Sequence, residues 1–254
     1  MDILTLVKYI PNPGGLPEMG EDLRLRREGV EGALDPGDEH GVEAALQLTE
    51  RAGGEVTVVS MGPEPAAAAI RRALSMGASR GVLITDDLLR GADVLVTARV
   101  LAAAVRRLSF DLVIAGVEST DGYTGTLPAT LAELLGLPSL TFARNLEVRE
   151  REIVIQRQTE GGYDVIEASL PALVTVTAGA NQPRYPTLRG IMQSKQKPVE
   201  KLSVADLGLS SDEVRPTQEV VGMEPVPAKE AGQIIEDGDA SARIVDFLVK
   251  AKVI

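Results

Sequence analysis

Short continuous apolar runs alternate with amphipathic stretches along the first half of the chain. Ile3-Leu4-Thr5-Leu6-Val7 predicts a buried strand over 3–8, and Pro11-Asn12-Pro13-Gly14-Gly15 predicts a loop. Residues 22–33 mix charge with Leu and Val around Gly29 and predict a small hairpin. A helix starts at Leu34-Asp35-Pro36-Gly37-Asp38, where Asp35 suits an N-cap and Pro36 the first turn. Val42, Ala45, Leu46 and Thr49 share one face of it, and Gly53-Gly54 ends it. Strands are predicted over 56–61, 81–85 and 111–116, and helices over 66–76, 93–108 and 124–135. Gly77 and Gly136 stop the first and last of these helices.

Strand and helix thus alternate four times, and the strands are apolar throughout rather than on one side. Such strands are covered on both faces. The pattern predicts an α/β fold with a Rossmann-like parallel sheet and helices on both faces. Ligands of such sheets sit at the carboxyl ends of the strands, near the switch in strand order.

The rhythm changes after residue 140. Alternation over 146–157 and 163–169, around Glu160-Gly161-Gly162, predicts a β-hairpin extension, and 171–177 reads as another buried strand. Residues 181–198 then hold Pro183 and Pro186 around Arg184-Tyr185, with Leu188, Ile191 and Met192 at helical spacing and Lys195 and Lys197 at the end. The prolines forbid an ordinary helix start there. The segment therefore predicts a stiff turn that delivers a short helix with exposed apolar residues, suited to touching another protein. From about residue 200 the chain turns polar, with Pro216, Pro225 and Pro227, and an amphipathic helix over 241–252 carries Ile244, Val245, Leu248 and Val249 on one side. The predicted organisation is an α/β domain over 1–200 that includes the 183–197 segment, and a C-terminal arm over 201–254 that lies on that domain or on a partner.

Composition removes several classes of function. With 26 Lys and Arg against 37 Asp and Glu, the net charge of −11 argues against nucleic-acid binding, and no basic, aromatic-studded stripe appears. Aromatic residues make up only 3%, so the core is aliphatic. The absence of cysteine excludes disulfides, thiolate nucleophiles and iron–sulfur clusters. The apolar start is too short for a membrane span and lacks a signal-peptide layout, which is compatible with a cytoplasmic location without membrane insertion. The lone histidine, His40, is expected at an exposed helix end.

Candidate chemistry gathers at the strand ends. The loop after 111–116 runs Glu118-Ser119-Thr120-Asp121-Gly122-Tyr123-Thr124-Gly125 into the helix predicted over 124–135, with Thr126-Leu127-Pro128-Ala129 following. Glycines, hydroxyls and helix N–H groups together suit a phosphate. Leu6 and Met61 end neighbouring strands, and Asp35-Pro36-Gly37-Asp38 opens the first helix. These places could line one adenine-nucleotide pocket. Asp38 and Glu39 complement the helix N-terminus, and no pair of carboxylates or activated nucleophile is placed for catalysis. A binding protein is expected rather than an enzyme. An adenine-nucleotide sensor of the universal-stress type is the alternative, although it leaves 183–198 unexplained.

At this point the residues resemble the β subunit of electron transfer flavoprotein over nearly the whole chain. The likeness is carried by Ser60-Met61-Gly62-Pro63, Ala73-Leu74-Ser75-Met76-Gly77-Ala78, Leu135-Gly136-Leu137-Pro138, Leu170-Pro171-Ala172-Leu173-Val174-Thr175 and Pro183-Arg184-Tyr185-Pro186-Thr187-Leu188. The resemblance implies an adenine-nucleotide α-hydrolase-like fold and pairing with an α subunit that holds most of one FAD. It also implies AMP as a structural ligand of β, a site where electron-bifurcating relatives place a second FAD. Electrons would pass from acyl-CoA or related flavin dehydrogenases to a quinone oxidoreductase, as in fatty acid β-oxidation. Carried onto this sequence, the AMP positions match Leu6, Asp35, Pro36, Gly37, Asp38, Met61 and residues from Glu118 to Ala129. The partner segment matches Tyr185, Leu188, Ile191 and Met192, with Leu188 as its apolar anchor. Many members carry Asn where Asp35 stands and Gln where Tyr123 stands.

Overall fold

The computed structural model describes residues 1–11, 18–224, 232, 234 and 238–254. The predicted loop positions Asn12, Pro13, Gly14 and Gly15, and Pro225 and Pro227 of the arm, lie outside these residues. The chain forms two units, Met1–Val220 and Val221–Ile254.

The first unit is built on a nine-stranded sheet. Its strands are β1 (Ile3–Leu6), β4 (Val56–Met61), β5 (Arg80–Ile84), β6 (Leu112–Gly116), β7 (Ser139–Arg149), β8 (Glu152–Thr159), β9 (Gly162–Ser169), β10 (Ala172–Val176) and β11 (Val199–Leu202). They lie in the order β11-β5-β4-β1-β6-β10-β7-β8-β9. All neighbours from β11 to β7 are parallel, and β7-β8 and β8-β9 are antiparallel. The predicted α/β class is what forms. Every residue of β1, β6 and β10 is buried, which is why these strands read as unbroken apolar runs.

Helices cover both faces. Packed on one side are α1 (Pro36–Ala52) and α2 (Ala67–Met76), over Ile3, Val58, Leu112 and Ile114. The other side holds α3 (Val94–Val105) and α4 (Leu127–Leu135), over Leu4, Val59, Val113 and Leu173. Asp35 caps α1 as expected, its carboxylate accepting from the Gly37 N–H, and Asp93 caps α3 by accepting from the Val96 N–H at 2.8 Å. The polar stretch after β11 stays with this unit. Val204 and Val214 are buried, and the Asp93 carboxylate also accepts from the N–H groups of Thr217 and Gln218.

Three expectations need correction. Residues 22–33 do not form a hairpin on themselves. Instead β3 (Gly32–Leu34) pairs antiparallel with β2 (Tyr9–Pro11), and the local bridge joins Met19 to Leu25, away from Gly29. The predicted hairpin around Glu160-Gly161 forms between β8 and β9, but its first arm starts at Glu152, so 146–157 is not one arm. Glu150, with φ at +52°, turns the chain between β7 and β8, so Leu146 pairs with Ile155 and Val148 with Ile153, and β9 follows as a third strand. Finally, α4 starts at Leu127 rather than at 124, which lengthens the loop before it.

In the second unit α6 (Ala240–Lys250) is amphipathic, with Ile244, Val245, Phe247 and Val249 exposed.

Candidate functional site

The carboxyl ends of β1 and β6 bring most of the predicted pocket residues together. Asp35, at the N-cap of α1, is fully buried: its Oδ1 accepts from the Gly37 N–H at 2.8 Å, and its Oδ2 from the Thr120 N–H at 2.7 Å and the Thr120 hydroxyl at 2.9 Å. The loop after β6 is thereby tied to the start of α1. Asp38 lies in the first turn of the same helix and accepts from the Lys8 N–H at 2.7 Å. Gly116 closes this corner, since a Cβ there would lie 2.7 Å from Asp38 Oδ1. Burial pushes the Asp38 carboxyl up to about 8 and the adjacent Asp35 adds to the rise, against the opposing pull of Lys8 and the Gly116 N–H.

Asp121 is pinned from two sides. Lys8 Nζ lies 2.7 Å from one of its oxygens and Arg27 2.5 Å from the other, while Lys8 Nζ also donates to Ser119 Oγ at 3.1 Å. Burial raises the Asp121 carboxyl, but the two cations outweigh it and hold it below the usual carboxylate range. Arg27 is a participant that the sequence did not point to. It comes from the connection between β2 and β3, and nothing in its local context marks it.

The acidic residues of this corner are therefore spent within the protein. Asp38 is pushed toward its neutral form by burial and Asp35, Asp35 accepts three hydrogen bonds, Asp121 carries two cations, and Glu39 is paired with Arg72 at 2.8 Å. Next to them, Tyr123 with φ at +48° and Gly125 with φ at +62° turn the loop into α4. The first N–H groups of a helix lack intrahelical partners, and Thr126 makes no side-chain cap over those of α4. Unpartnered N–H groups at a helix start are donors of the kind that anions use.

The remaining predicted residues fall around this corner. Leu6 ends β1 with its side chain in the α3/α4 core, so it can offer a ligand only its backbone; Met61 ends β4, half-buried against the same core. Pro36 and Gly37 open α1. Glu118, Gly122, Tyr123, Thr124 and Gly125 are exposed, Leu127 and Ala129 form the first turn of α4, and Pro128 is buried there.

A second feature stands on the α1/α2 side. Helix α5 (Leu188–Ser194) is capped by Thr187, whose hydroxyl oxygen accepts from the Gly190 N–H at 3.0 Å. Its apolar residues, and Tyr185 just before it, face solvent: Leu188 is 76% exposed, Met192 65%, Ile191 46% and Tyr185 85%. The frame beneath is rigid. Arg184 forks onto Glu43, with Nε 2.7 Å from Oε2 and Nη2 3.0 Å from Oε1, and also reaches Glu50. Burial raises Glu43, yet its hydrogen bonds from Arg184 and Gln47 prevail and hold it below the usual range. Lys197 donates to the carbonyls of Leu74, Gly77 and Ala78 at the end of α2. His40 is half-buried rather than exposed, with Nδ1 3.1 Å from the Asn181 carbonyl oxygen and its own carbonyl accepting from Asn181 Nδ2 at 2.9 Å. It anchors the chain that leads into α5.

Among the described residues no cluster of His, Asp or Glu could hold a metal ion, and no helix is long and apolar enough to cross a membrane.

Comparison with known proteins gives these features a context. The model of the electron transfer flavoprotein domain matches residues 22–207. The chain is 42% identical over 264 residues to the electron transfer flavoprotein subunit beta of Mycobacterium leprae, covering 100% of this chain and 99% of that protein. It is 37% identical over 235 residues to the subunit of the same name from Bacillus subtilis, covering 91% of each. It is also 35% identical over 241 residues to the caffeyl-CoA reductase-Etf complex subunit CarD of Acetobacterium woodii, covering 92% of each. The chain belongs to the electron transfer flavoprotein family, among its β subunits. Such subunits are electron-transfer proteins rather than catalysts, and a β subunit implies an α partner and partners in electron transfer. The full-length match sets aside the universal-stress reading.

Proposed function

We propose that this chain forms a heterodimer with an electron transfer flavoprotein α subunit, in which FAD sits mainly in α, and that α5 docks flavin dehydrogenases. Electrons then pass from acyl-CoA-type dehydrogenases through the flavin to a quinone oxidoreductase. The observation that carries this reading is α5, a short helix fixed to its domain by Arg184, Gly190 and Lys197 that nonetheless presents Leu188 and Met192 to solvent. An apolar pair held outward on a rigid frame is what a partner pocket needs, because little conformational freedom is lost on docking.

The crevice at β1 and β6 takes AMP as a structural ligand. Its phosphate is held by the N–H groups of Leu127 and Ala129, Pro128 between them having none, with the Thr124 and Thr126 hydroxyls, and its base lies toward Leu6 and Met61. The inward-turned acids support this assignment, because they leave the mouth of the site without free carboxylates other than Glu118. FAD supplies the redox chemistry, and the residues of this chain bind and orient. The C-terminal arm contacts the α subunit through the apolar side of α6, and the complex works in the cytoplasm.

The test is purification of the chain co-expressed with its α subunit, followed by denaturation and mass spectrometry of the released nucleotides. One FAD and one AMP per heterodimer are expected. A chain that never assembles with an α subunit contradicts the assignment, and a second FAD in place of AMP contradicts the monophosphate site.

A further inference from the structure

The Asp35 carboxylate is enclosed by the protein. It is 0% exposed, and three donors converge on it: the Gly37 N–H, the Thr120 N–H and the Thr120 hydroxyl. Its own N–H donates to the Lys8 carbonyl at 3.0 Å, so α1, the end of β1 and the loop after β6 meet on this one residue. A ligand cannot reach a carboxylate whose oxygens are buried and engaged in this way. The next residue, Asp121, is fixed separately by Lys8 and Arg27. Thr120 and Asp121 are therefore the pinned points of the loop, and 122–126 run from them to α4.

We propose that Asp35 is a positioning residue for the nucleotide phosphate: it makes no ligand contact, and through Thr120 it fixes the loop that aims the first N–H groups of α4. The proposal rests on the nucleotide reading given above. A carboxylate suits this place better than a carboxamide. All three groups that point at it are donors, and an Asn side chain would turn an NH2 group toward one of them.

The experiment uses the heterodimer freed of nucleotide and follows both amide hydrogen exchange and AMP binding. Asp35→Ala is expected to speed exchange of the Thr120 amide by about tenfold or more, since a hydrogen bond to a carboxylate is lost. Amides of the sheet should exchange as before. AMP affinity is expected to fall by about tenfold or more with FAD content unchanged, and Asp35→Asn is expected to recover part of the loss. Thr120→Val, which keeps the backbone bond, is expected to weaken AMP binding on its own and to add little to Asp35→Ala, because both act through one contact. Thr120→Ser, which keeps the hydroxyl, is expected to bind as the native chain does. Additive losses of AMP affinity from Asp35→Ala and Thr120→Val overturn the proposal, because they mean that the two side chains do not act through one contact. Unchanged exchange at Thr120 overturns it too. If Asp35→Ala does not fold, Thr120→Val against Thr120→Ser decides: equal AMP affinity in the two overturns the role of the latch. A native heterodimer that binds no AMP is a failure of the nucleotide reading, and the exchange arm still reports on the latch.

Discussion

Gly190 of α5 sits against the carbonyl of Ser75 in α2 so closely that a Cβ there would lie 2.4 Å from that oxygen. A glycine at this position lets the short helix lie flat on α2, and the contact sets how far Leu188 and Met192 project. Gly190→Ala is therefore expected to push α5 off α2. Electron transfer from a dehydrogenase should slow several-fold while FAD content and assembly with the α subunit persist. Stopped-flow reduction of the heterodimer by its dehydrogenase checks this, and an unchanged rate shows that the seating of α5 is immaterial.

Arg184 and Glu43 fix the other end of the segment. Because the Glu43 carboxyl is held below its ordinary value, its contribution to stability is present above the unfolded value near 4.3 and is lost as pH falls through the folded one. Glu43→Gln should cost about 1–3 kcal/mol at pH 7, discounted from a fully buried pair because Arg184 is one-third exposed. Thermal unfolding at a series of pH values should show the difference between native and Glu43→Gln chains narrowing below about pH 4. A difference that stays constant on acidification contradicts the ion-pair account.

Asp38 has the opposite sign. Its folded value, about 8, lies above the unfolded one, so its favourable contribution is complete below about pH 4 and is lost as pH rises through 8. Asp38→Asn keeps a carbonyl oxygen for the Lys8 N–H and cannot ionise. The variant should come closest to the native heterodimer below about pH 4 and exceed it in stability at pH 9, by an amount on the order of a few kcal/mol. A stability difference that does not change with pH contradicts a raised folded value for Asp38.

The core was legible because fully buried parallel strands leave an unmistakable mark: β1, β6 and β10 contain hardly a polar residue. The start of α1 was legible too, since Asp35 and Pro36 act locally. The outward face of α5 showed as apolar residues in a proline-framed, polar setting. What the sequence hid is long-range pairing. Asp121 meets Lys8 across 113 residues and Arg27 across 94, and no local pattern records either. The start of α4 was misplaced because Thr124 and Thr126 carry the same capping signal, and the turn at Glu150 was missed because a glutamate in the left-handed region breaks the local rule. Lys197 looked like a helix-end charge and is one, but for α2 rather than α5.

The most direct test of the central claim is Leu188→Ala in the full heterodimer, with the second-order rate of flavin reduction by an acyl-CoA-type dehydrogenase measured at low protein concentration. Burying one leucine side chain is worth roughly 1.5–3 kcal/mol, so the rate constant is predicted to fall about tenfold or more with FAD content intact. A Leu188→Ala heterodimer that is reduced as fast as the native one would contradict the assignment of α5 as the docking element.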